Sequence, residues 1–116
     1  MAEARQEGLP EGLRRELEDL AEVYTEVLKR GSAKNEFSVL LHTASLYGAV
    51  RFMANLLGKQ CEGQAERALK VAKEELNRVA NYLSEPKEDR RRLLVRLAAL
   101  EAIIYHTASH CAGLEN

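Results

Sequence analysis

The densest chemistry in the chain is a run of charge, Glu88-Asp89-Arg90-Arg91-Arg92, with Arg96 one turn further on. Guanidinium groups are planar forks that match phosphate oxygens and keep their charge at any working pH. Three arginines at the start of a helix oppose its macrodipole, whose positive end prefers acids by about 0.3–1 kcal/mol per charge. Glu85, Glu88 and Asp89 offset this only in part. An arrangement that local electrostatics disfavours points to use, so Arg90, Arg91, Arg92 and Arg96 are candidate phosphate contacts. The plainer reading is a solvated face in which Glu88 pairs with Arg92. Wound as a helix, Arg92, Arg96, Ala99, Ile103, His106 and His110 fall within about 80° of one another. That face has cations at one end, Ile103 in an apolar middle and two histidines at the other end.

His106 and His110 are four residues apart, a spacing that can share one metal ion. Two ligands do not complete a site, and His106-Thr-Ala-Ser-His110 has no interior acid for general-base work. Paired metal sites in bundles use Glu-x-x-His, which the chain lacks. Neither a metal nor a cofactor is expected. A phospho-accepting histidine of a phosphorelay bundle would resemble His-x-x-Lys-Gly, whereas His42-Thr-Ala-Ser-Leu46 departs at both later positions. His42 is therefore read as a buried or interfacial histidine bonded to backbone. With no nucleophile, paired acids or metal constellation, the chain is read as non-enzymatic. Arg51 is the one formally charged residue between Phe37 and Gly58. An unpaired buried cation is very costly, and Glu101 on the last helix is its expected partner, with phosphate or another subunit as the alternative.

These residues need elements to hold them. Glycines and the two prolines, Pro10 and Pro86, divide the chain into four periodic runs of roughly 11–30, 35–57, 64–83 and 86–112. The first draws one apolar stripe through Leu13, Leu17, Leu20, Tyr24, Val27 and Leu28. The second, with Ser32 or Asn35 as N-cap and Gly58 as C-terminal stop, has no polar side: Phe37, Leu41 and Phe52 point one way, Leu46 and Met53 nearly opposite. A helix apolar on all sides must be covered on all sides, and a chain this short is expected to borrow part of that cover from another molecule. Ala44 and Gly48 make a shallow strip suited to close approach. The third run is ordinarily amphipathic and is read as the outer helix, and Pro86 suits the first turn of the fourth. No segment alternates as a strand does. Short turns imply antiparallel neighbours, so the expectation is an all-α, antiparallel four-helix bundle in a single domain, 1–116, with residues 1–10 as a flexible N-terminus.

A formal net charge of −1 supplies no global field toward nucleic acid or anionic membrane. Met1 to Gly8 lacks a basic end followed by an apolar run, so the protein is expected to stay in the cytoplasm. Cys61 and Cys111 form no C-x-x-C pair and are read as free thiols of a reducing compartment. Arg51, Asn55, His42, Thr43 and Ser45 argue against a membrane span over the second run.

Two segments together resemble the small all-helical subunit of type III CRISPR effector complexes, in its Cmr-branch version. One is Leu46-Tyr-Gly48-Ala-Val-Arg-Phe-Met-Ala-Asn-Leu-Leu-Gly-Lys59, and the other is Leu94-Val-Arg-Leu-Ala-Ala-Leu-Glu101-Ala-Ile-Ile-Tyr105. They cover about a third of the chain. The resemblance implies a non-enzymatic subunit of an RNA-guided antiviral ribonucleoprotein, stacked along guide RNA and target. Apolar helix surface would then lie between neighbours, and Arg90, Arg91, Arg92, Arg96 and also Arg51 would face the RNA backbone. The alternative is a homo-oligomeric helical adaptor without a nucleic-acid role, in which the second helix is the shared interface. Either way the partner contacts are expected at Leu46, Tyr47, Met53 and Ile103.

Overall fold

Leu13, Leu17, Leu20, Tyr24, Val27 and Gly31 follow one another in steps of four and three, and so do Ala65, Leu69, Ala72, Leu76, Val79 and Leu83. Matching seams of this kind let two helices lie side by side with their knobs in register. The computed structural model, which describes residues 9–57 and 60–113, shows that packing between the first and third of four helices: α1 (Glu11–Ala33), α2 (Phe37–Leu57), α3 (Glu62–Ser84) and α4 (Arg90–Cys111). The fold is an all-α four-helix bundle.

Successive helices run antiparallel, yet the most extensive contacts join the parallel pairs, α1 with α3 and α2 with α4. Lys73 meets Asp19 at 3.5 Å and, further along both helices, Arg30 meets Ser84 at 2.7 Å, so α1 and α3 run the same way. This corrects the expected place of the third helix. Far from being the outer one, α3 touches all three others and buries Ala65, Leu69, Ala72, Leu76, Val79, Ala80 and Leu83. Each fully buried leucine contributes roughly 1.5–3 kcal/mol, and α3 supplies three of them.

Side-chain and backbone chemistry sets the ends. Asn35, expected as an N-cap of α2, instead takes φ 57° two residues beyond the end of α1, just after the C-cap Lys34. The Glu36 N–H donates to Gly31 O at 2.9 Å and the Asn35 N–H to Ser32 O at 3.2 Å, the paired bonds of a Schellman stop. Asparagine tolerates the left-handed conformation better than most residues. Gly31 is buried because Leu40 of α2 lies directly on it. At the other turn, α4 begins at Arg90 and not at Pro86: Asp89 accepts the Arg91 N–H on its side chain at 3.0 Å and caps the helix. The last turn of α3 is held by Arg30, which donates to Ala80 O at 2.9 Å, and by Lys34, which reaches Ser84 O.

Of the stretch 1–10 expected to be flexible, the described residues are Leu9 and Pro10. Leu9 packs against the core, and Pro10 O accepts the Arg14 N–H at 3.1 Å. Residues 1–8 and Gly58, the expected stop of α2, lie outside the described residues.

Candidate partner surface and arginine cluster

Of α2, one side is core. Val39, Thr43, Leu46, Val50, Met53 and Ala54 are buried within the chain. Leu46 and Met53, expected at a partner interface, are each 0% exposed, so the bundle's own helices already occupy them. That expectation is corrected by the packing. Tyr47 is half-buried, its ring stacked on Tyr24 of α1 with centroids 4.0 Å apart and planes 12° from parallel. Burial raises the Tyr24 phenol above its ordinary value, and Tyr47 adds to the shift.

The opposite side of α2 is uncovered. Phe37, Leu41 and Phe52 are 65%, 67% and 51% exposed, and Gly48 between them has open space where a Cβ would stand. On α4, Val95, Ala98, Ala99, Ala102, Ile103 and Tyr105 are exposed, Ile103 at 57%. Ile103, expected as a partner contact, is thus exposed. Phe37, Leu41, Phe52, Val95 and Tyr105 were absent from that expectation, although helical projection already grouped the first three on one side of α2. What projection could not supply is which of two apolar sides faces the core.

The arginines divide into two kinds. Arg90 donates through Nε to both carboxylate oxygens of Glu36 at 3.3 Å. That carboxylate also meets Tyr82, whose phenol is raised first by burial and then by the Glu36 charge, with Arg90 pulling the other way. Arg96 donates to the buried carboxylate of Glu75 at 3.2 and 3.3 Å and to Glu88 at 3.4 Å. Both therefore tie α4 to its neighbours. Arg91 and Arg92 are exposed, and among the described residues no side chain pairs with either guanidinium. The expected pairing of Glu88 with Arg92 is replaced by that of Glu88 with Arg96.

Arg51 does not pair with Glu101. Its Cζ lies 5.6 Å from the centroid of the Tyr47 ring, a cation over a π face at the end of the Tyr24–Tyr47 stack. His42 is half-buried, and His106 and His110 are exposed on α4. Thr43 Oγ1 and Asn55 Oδ1 are buried, and among the described residues neither has a hydrogen-bond partner. Among the described residues no group of three His, Cys, Asp or Glu side chains gathers around a common point.

The cysteines differ most from expectation. Cys61 and Cys111 are joined in a disulfide, with Cα atoms 6.4 Å apart, inside the range such bonds require. They are not free thiols. The bond links the start of α3 to the end of α4 across 50 residues, a separation from which sequence alone yields no proximity. Between these helices lies a groove of about 270 Å³ floored by Ala68, Val71, Leu100, Ile103 and Ile104, with Arg67 on its rim.

Compared with protein-family models, curated proteins and solved structures, the chain matches none. Among the described residues, no helix is long and apolar enough to cross a membrane.

Proposed function

We propose that this chain is a non-enzymatic contact protein, a helical adaptor that associates with further copies of itself through the outward face of α2 and α4. The observation that carries this reading is the exposed apolar side of α2, Phe37, Leu41 and Phe52 around Gly48, together with the exposed Val95, Ile103 and Tyr105 of α4. Exposed apolar side chains that share one side of a helix mark a site of association on a small domain. A net charge of −1 leaves little repulsion between copies. Gly48 and the alanines of α4 lower the relief of the face, so a second helix can approach closely. Sedimentation velocity across a concentration series tests the proposal: association supports it, and a monomer at every concentration rejects it.

A second reading has its own observation. Arg91 and Arg92 stand exposed at the start of α4 with no carboxylate partner among the described residues, the condition in which a guanidinium can take a phosphate. This favours the RNA-guided antiviral subunit suggested by the sequence resemblance, with Arg91 and Arg92 as its backbone contacts. Arg90, Arg96 and Arg51 would have to leave Glu36, Glu75 and Tyr47 to join them. Phosphate contacts of this type weaken steeply with salt. Filter binding to single-stranded RNA between low and moderate salt is the check, and flat, negligible binding by the chain and by an assembled complex rejects it. A cytoplasmic location belongs to both readings. It would set the Cys61–Cys111 bond in a compartment that keeps most thiols reduced.

A further inference from the structure

We infer that the Cys61–Cys111 disulfide is a redox latch on the seam between α3 and α4, holding together the two helices that flank the apolar groove. Two ties stand at opposite ends of this seam. Arg96 holds Glu75 and Glu88 near the start of α4, and the disulfide holds its last residue to the start of α3. Between them the two helices touch little, and the groove of about 270 Å³ opens onto Val71 and Ile103, both exposed. The C-terminal half of α4 also rests on the core through Ile104 and Ala108. Loss of the bond therefore frees that half from α3 without unfolding the bundle.

The two sulfurs differ in a way that gives the exchange a direction. Cys111 is half-buried, whereas Cys61 is 6% exposed and occupies the position just before the first turn of α3. A helix N-terminus stabilises a thiolate, which makes Cys61 the better leaving group. A dithiol reductant attacks as a thiolate at Cys111 Sγ. The sulfur–sulfur bond breaks, and Cys61 Sγ departs with the electron pair and takes up a proton. The reductant's second thiolate then attacks its own sulfur in the mixed disulfide and releases Cys111 as a thiolate, which is protonated in turn. The chain gains two electrons and two protons, and the dithiol becomes a disulfide.

The test is hydrogen exchange on the full chain, purified without reductant and then compared before and after dithiothreitol. The expected result is amide exchange over residues 100–111 faster by at least about tenfold on reduction, with α1 and α2 unchanged. Reoxidation should restore protection. The Cys111→Ala variant should exchange fast in this segment with or without dithiothreitol. Equal protection in both redox states overturns the latch. So does finding two titratable thiols before any reductant is added, and so does a loss of protection throughout the chain on reduction.

Discussion

Arg96 on α4 donates through Nε to Glu75 on α3 at 3.2 Å, and the carboxylate it reaches is buried. A buried charge that loses its partner is left uncompensated, while replacing both members by apolar groups is far less damaging. Arg96 keeps about a third of its side chain in solvent, which moderates the effect. Arg96→Ala should cost about 1–3 kcal/mol in urea denaturation, and the double change Glu75→Leu with Arg96→Leu should recover most of it. Additive losses would show that the two side chains do not act as a pair.

Gly31 and Gly48 should respond to alanine with opposite signs. A Cβ on Gly31 would stand 2.8 Å from Leu40 Cγ, so the Leu40 side chain or the helix that carries it must shift. This outweighs the gain of about 1 kcal/mol in helix propensity, and Gly31→Ala should destabilise by about 1–2 kcal/mol. Adding Leu40→Ala should relieve the clash. Gly48 has nothing within 4 Å of its missing Cβ, and Gly48→Ala should stabilise the isolated chain by about 0.5–1 kcal/mol. Thermal denaturation of the three proteins gives the signs directly.

Alkaline conditions should weaken the bundle through its tyrosines. The Tyr24 and Tyr82 phenols both titrate above the ordinary 10.0, chiefly because burial disfavours the phenolate. A group whose folded value is raised contributes stability fully present below its unfolded value and lost as pH rises through the folded one. The urea midpoint contributed by these groups should hold steady up to about pH 9 and fall above about pH 10. Tyr24→Phe with Tyr82→Phe should flatten that fall relative to the parent. An equal slope in both proteins would assign the alkaline loss to other groups.

Charge placed on the two sides of α2 should separate folding from association. Leu46→Asp and Met53→Asp introduce carboxylates at positions 0% exposed and should abolish folding. Leu41→Asp and Phe52→Asp fall on the open side. These should leave the helical circular dichroism and the denaturation midpoint within about 0.5 kcal/mol of the parent, while reducing self-association.

The four helices and the absence of strand pattern were legible because apolar spacing records period directly, as in Leu13, Leu17, Leu20 and Tyr24. Tertiary choices were not. In α2 both sides are apolar, so nothing local to Leu46 or Leu41 says which one meets the core. Asn35 suits a cap at either end of a helix, and only the bond from Glu36 to Gly31 decides between them. Arg96 looked like a member of a basic face, because its partner Glu75 lies 21 residues away on another helix. The disulfide was invisible for the same reason, its two halves being brought together by the antiparallel course of α3 and α4.

The most direct test of the central claim, that the open face of α2 and α4 joins copies of the chain, is sedimentation velocity of the parent beside the Leu41→Asp/Ile103→Asp double variant. The account predicts a parent that associates as concentration rises and a variant that stays a folded monomer throughout. A parent that sediments as a monomer at every concentration, or a folded variant that associates as strongly as the parent, would contradict it.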